Sequence, residues 1–175
     1  MSMIDSEAMD RMIARQAIGD LLMAYARGVD RCDVELLQGI FHPDATVVTG
    51  LIDGRGTDFP RKIVDHVQRK LDRCFHSIAQ MWIEVSGDHA VGESYFIAVT
   101  AAAGRDGIIA GRYLNEFERR AGVWKIQRHT IVMDWSTTQP TGAEADSLFK
   151  ALRIRGSANH SDPLYGHWQR LRTVR

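Results

Sequence analysis

Phe75-His76-Ser77-Ile78-Ala79-Gln80-Met81-Trp82-Ile83-Glu84-Val85 opens the part of the chain in which the apolar period changes from near 3.6 to 2. A period of two is that of a strand with one buried face. From here four long strands are expected, over about 76–85, 90–103, 108–120 and 123–135. Ser86-Gly87-Asp88, Gly104-Arg105-Asp106-Gly107 and Ala121-Gly122 supply the hairpin connections.

Upstream the period is helical. Met9, Met12, Ile13, Ala17, Leu21, Tyr25 and Ala26 recur at three- and four-residue steps, so a helix is expected over 6–29, with Ser6 capping it and Gly28 marking its end. Asp33 caps a short second helix carrying Leu36, Leu37, Ile40 and Phe41, which His42-Pro43-Asp44 stops. Ala45–Thr49 reads as a short strand. A turn-rich stretch then leads to Pro60 and a third helix over about 59–71. Helices gathered on one side of a curved, mostly antiparallel sheet make an α+β fold. The expected division is a domain over 1–140 and a C-terminal extension over 141–175. The extension has one helical patch near 144–153 and packs on the domain or on a neighbour. No internal repeat is visible.

Composition narrows the function. At 175 residues the chain is sized for one domain, and its 22 Lys+Arg balance its 22 Asp+Glu. A nucleic-acid partner requires concentrated positive charge, so none is expected. The N-terminus lacks the basic and apolar regions of a secretory signal, and no apolar run approaches a membrane span. A soluble cytoplasmic protein is expected. Cys32 and Cys74 are too few for a disulfide framework or a Cys-based zinc site. The 7 histidines show no His-x-x-x-His spacing, so no metal is expected. No glycine fingerprint for a dinucleotide is present, so no cofactor is expected either.

Two stretches carry chemistry. Tyr25-Ala26-Arg27-Gly28-Val29-Asp30 ends the first helix on a carboxylate, and Phe75-His76 opens the first long strand with an imidazole. Strict alternation puts His76, Ile78, Gln80 and Trp82 on one face. It puts Trp124, Ile126, Arg128, Thr130 and Val132 on one face of the last strand, and His129 on the other. Each set is apolar with a few polar groups, which is the makeup of a small-molecule pocket. Gln80, Trp82, Thr130 and Val132 are the expected substrate-binding residues.

The order of markers resembles the SnoaL-like group of the nuclear transport factor 2-like superfamily. These are Ala17-Ile18-Gly19-Asp20-Leu21 with Tyr25 and Gly28-Val29-Asp30; Phe41-His42-Pro43-Asp44-Ala45; His76 with Gln80; Gly87-Asp88-His89-Ala90; Gly111-Arg112-Tyr113; Arg119 through Ile126; and Asp134-Trp135. The resemblance covers about 8–136 and implies a cone-shaped α+β barrel enclosing a pocket. Around the Asp/His pair it extends to scytalone dehydratases, bile acid 7α-dehydratases and lindane dehydrochlorinases. It implies His76 as a base, Asp30 as its orienting carboxylate, and Tyr25 and Arg128 as further catalytic groups. The reaction implied is a cofactor-independent elimination of water or halide from a small hydrophobic cyclic substrate. It also implies self-association, a trimer rather than a dimer. Rival readings are a ketosteroid-isomerase-like isomerase or polyketide cyclase, and a non-catalytic module like a dioxygenase β subunit.

Overall fold

The computed structural model describes residues 6–142, 151 and 154–172. The helices are α1 (Ser6–Asp30), α2 (Val34–Ile40), α3 (Phe59–Lys70) and α4 (Pro163–Arg172). The strands are β1 (Phe41–Val48), β2 (Gly54–Arg55), β3 (Arg73–Ser86), β4 (His89–Ala102), β5 (Arg105–Arg120) and β6 (Val123–Pro140). They form one curled, non-closed sheet in the order β2-β1-β6-β5-β4-β3. The sheet is mixed, because β1 runs parallel to β6 while the other pairs are antiparallel. The helical patch expected near 144–153 falls almost wholly outside the described residues.

The meander is held by tight turns. Ala103 and Gly104 have φ of 51° and 74°, and Ala121 and Gly122 have 50° and 79°. Two successive positive φ values give the turn whose twist matches a hairpin's strands. The β4–β5 turn is therefore Ala103-Gly104, and Arg105–Gly107 belong to β5 rather than to the connection.

The inner face of the sheet packs against α1. Ala14, Ile18, Leu22, Tyr25 and Val29 are buried there, and Ala14 and Ile18 are wholly so. Met12 and Ile13 are exposed, so the buried stripe lies to one side of the expected one. Gly28 does not end the helix, which runs to Asp30. It is a close-approach residue: a Cβ there would lie 2.7 Å from the Leu37 side chain of α2. The reversal falls at Cys32, at φ 53°. Asp33 then caps α2, accepting the Leu36 N–H at 3.0 Å. At its other end α1 is tied to the sheet by Arg119 of β5, which donates to Asp10 (2.7 Å) and to Asp88 (2.6 Å) and lies over Trp124.

Two glycines test this packing in opposite directions. A Cβ on Gly56 would overlap the His42 carbonyl oxygen, whereas one on Gly39 of α2 meets nothing within 4 Å. Gly56→Ala should destabilise by about 1–3 kcal/mol. Gly39→Ala should stabilise by about 0.4–1 kcal/mol, because alanine restricts the unfolded chain and suits a helix. Thermal denaturation of both variants reads the two signs, at about 2–4 °C per kcal/mol.

Candidate active site

Asp30 is the last residue of α1 and His76 the fourth of β3. The two meet through both carboxylate oxygens. His76 Nδ1 lies 2.7 Å from Asp30 Oδ1, and the His76 backbone N–H donates to Oδ2 at 2.9 Å. Both side chains are largely buried, at 13% and 8% exposure. With the carboxylate accepting at Nδ1, that nitrogen carries the proton and Nε2 presents its lone pair. The backbone contact fixes the carboxylate against the strand, so the ring orientation follows from the fold.

Cys74 stands beside the pair, with Sγ 3.6 Å from His76 Nδ1. Burial, then the Asp30 charge, pushes its thiol well up. Asp30, Cys74 and His76 each bring a metal-ligand atom within 4.8 Å of the others. They are the described residues with the donors to hold a metal. In the absence of a cation, Nδ1 of His76 faces the Asp30 carboxylate and the thiol is a neutral neighbour. A groove of about 360 Å³ opens beside Asp30, walled by Cys74 and Phe75, by Val99–Ala101 and by Gly156–Ala158. The described tail residues lie on this chain's own helices: Tyr165 donates to Asp33 at 3.1 Å, Arg31 meets Asp162 at 3.4 Å, and Arg27 lies over Trp168.

Tyr25 is buried at 3% exposure, its ring 4.5 Å from that of His129 and edge-on to Tyr113 at 5.4 Å. Burial, then the neighbouring Cys74 and Asp30, pushes its phenol far up, so it is a neutral donor.

Other expected site residues stand elsewhere. β3 breaks register with β4 between Ile78 and Met81. One slipped residue exchanges the faces of everything that follows. Gln80 is exposed in this irregular stretch. Trp82, 69% exposed, points away from His76's side and donates to Glu84 at 3.0 Å. β6 breaks register with β5 in the same way, where Glu116 pairs with Arg128 and Phe117 with Ile126, leaving Gln127 over. Trp124 and Ile126 point inward, and beyond the break His129 does. Arg128 and Thr130 share an outer groove with Trp82, and Val132 takes the same outer face opposite Arg112. Arg128, Thr130, Val132 and Trp82 are thus off the Asp30–His76 side of the sheet, and Gln80 is exposed within the irregularity.

The residue that strict alternation left out is inside. His129 is wholly buried, and its Nδ1 lies 2.7 Å from Asn115 Oδ1. Burial pushes its pKa down from 6.5 to about 3. No motif marks it.

The sequence profile of the SnoaL-like domain matches residues 10–130. The chain belongs to the SnoaL-like family. It is 30% identical over 137 residues to hexachlorocyclohexane dehydrochlorinase 1 of Sphingobium indicum, covering 74% of this chain and 87% of that protein. Among solved structures it is similar to a type 2 hexachlorocyclohexane dehydrochlorinase, at 27% identity and TM-score 0.70, over 77% of this chain and 93% of that one. The type 3 enzyme of Novosphingobium barchaimii matches at 27% and 0.71, over 75% and 93%. A scytalone dehydratase-like protein of Novosphingobium aromaticivorans, at 21% and 0.66 over 75% and 91%, shares the fold. These matches agree with an α+β cone.

The buried imidazole sets a pH dependence. The unfolded chain protonates His129 near 6.5, and the folded chain only near 3. Between these values the unfolded state binds more protons, so stability falls as pH falls, by up to about 1.4 kcal/mol per pH unit. Chemical denaturation of wild type and His129→Gln from pH 7 to 4 should show wild type losing stability faster.

Proposed function

We infer that this protein is a cofactor-independent lyase in which His76 is the base and Asp30 its orienting carboxylate. The observation that carries the reading is the double contact of Asp30 on His76, at 2.7 Å to the ring and 2.9 Å to the backbone. The similarity to hexachlorocyclohexane dehydrochlorinases supports an elimination on a small hydrophobic ring.

In that reaction His76 Nε2 takes a proton from a ring carbon. The C–H electron pair becomes the new π bond, and water or halide leaves from the adjacent carbon with its own pair. Asp30 stabilises the imidazolium that forms and keeps the ring in the required tautomer, as a triad carboxylate does. To Tyr25, a buried neutral donor near Asp30, we assign the stabilising of developing negative charge. Arg128 has no part in this mechanism, since it faces the other side of the sheet.

The test is turnover of hydroxylated and halogenated cyclohexanes followed by product mass. Loss of water or hydrogen halide fits the lyase, and conserved mass fits an isomerase. His76→Ala should abolish turnover with an unchanged circular dichroism spectrum. Asp30→Asn should lower kcat by about 10²–10⁴-fold. Near wild-type turnover in His76→Ala would sink the assignment.

A further inference from the structure

Three metal-ligand side chains from two elements meet beside the groove. Asp30 closes α1, and Cys74 and His76 stand at alternate positions of β3, on one face of the strand. One donor atom of each lies within 4.8 Å of the other two.

Their spacing is close to that of a metal site. In a tetrahedral zinc site, ligand atoms about 2.0–2.3 Å from the metal stand about 3.3–3.6 Å from one another. Cys74 Sγ and His76 Nδ1 already have that separation, at 3.6 Å. Asp30 Oδ1 is 2.7 Å from Nδ1, the length of a hydrogen bond. A metal on Nδ1 takes the place of the shared proton, so the carboxylate has to swing Oδ1 out of the line of that nitrogen. Oδ2, held at 2.9 Å by the His76 backbone N–H, is the pivot. An outer contact of this kind orients a ligating carboxylate.

The donor set selects the ion. A thiolate with an imidazole suits zinc, whereas magnesium and calcium take oxygen ligands. The carboxylate and thiolate together carry two negative charges, so a divalent ion leaves the buried site neutral. Three protein ligands leave a fourth position for water. The groove of about 360 Å³ lined by Asp30 and Cys74 supplies that water and the path of entry. Arg31 also lines this groove, but its guanidinium meets Asp162 at 3.4 Å and the Asp30 backbone carbonyl at 3.2 Å.

We propose that Asp30, Cys74 and His76 form a site for a zinc-class divalent cation whose occupancy switches the base off. On loading, the Cys74 thiol gives its proton to solvent and the metal takes His76 Nδ1. The neutral imidazole keeps its one proton on Nε2. The nitrogen that abstracts the substrate proton is then blocked, and the carboxylate is withdrawn from the ring. Inhibition rests on His76 being the base; the site and the change of tautomer do not.

Titrating the wild-type protein with Co²⁺ should give one site with thiolate-to-cobalt charge-transfer absorption in the near ultraviolet, which Zn²⁺ displaces. Ring 15N shifts of His76 should place its proton on Nδ1 in the free protein and on Nε2 after zinc loading. Neither readout needs a variant to fold. In calorimetry, Cys74→Ala and His76→Ala should each weaken Zn²⁺ binding by at least about 100-fold, more than loss of an outer contact costs. Turnover should fall with zinc occupancy and return with a chelator. Cobalt binding without the thiolate band overturns the site, as does zinc binding that both variants leave unchanged. A His76 proton that stays on Nδ1 in the loaded protein overturns the switch, as does turnover kept or raised at full occupancy. If no cyclohexane is turned over while the band and the tautomer change are present, the lyase reading fails and the site stands.

Discussion

A single carboxylate joins the two layers of this protein where its chemistry is expected. Asp30 closes α1, and its two oxygens are taken by the ring and the backbone N–H of one residue, His76. A buried carboxylate is tolerable only when hydrogen-bonded and paired. The path of α1 over the sheet and the start of β3 are therefore fixed together. Gly28 lets α2 approach within van der Waals reach of α1 just before Asp30, and the left-handed Cys32 turns the chain into the Asp33 cap. The same constraint aligns the imidazole, so a displaced helix would cost both fold and site.

The far end of α1 is held differently. Arg119 bridges Asp10 on the helix to Asp88 in the β3–β4 turn and stacks over Trp124. Exposed ion pairs are individually weak, but a guanidinium gripped by two carboxylates also restricts geometry. Between the two anchors the helix contributes Ile18, Leu22 and Tyr25 to an aromatic interior in which Phe96 stacks on Tyr113 at 4.2 Å.

The helices and the meander were legible in the sequence, because they rest on period, caps and turn residues; the meeting of Asp30 with His76 was expected only from the family resemblance. The walls of the cone were not. Strict alternation sends Gln80 and Trp82 inward with His76, and Arg128 inward with Ile126, until an irregularity exchanges the faces. Nothing in Ile78-Ala79-Gln80-Met81 or in Ile126-Gln127-Arg128 announces the slip. It is a property of pairing: two strands of unequal path length on a curled sheet absorb the difference in one residue. The stripe expected for α1 also misleads, since Met12 and Ile13 fit the helical period and are exposed.

The two interior histidines show how partner chemistry separates roles. Each has Nδ1 engaged at 2.7 Å, His76 by a carboxylate and His129 by an amide oxygen. An anionic partner stabilises an imidazolium; a neutral amide does so far less, and full burial opposes it outright. Burial therefore holds His129 neutral down to a pKa of about 3. His76 differs in being backed by a carboxylate, through both its ring and its backbone N–H. Tyr25 packs its ring 4.5 Å from that of His129, and the Asp30 charge helps to push its phenol up.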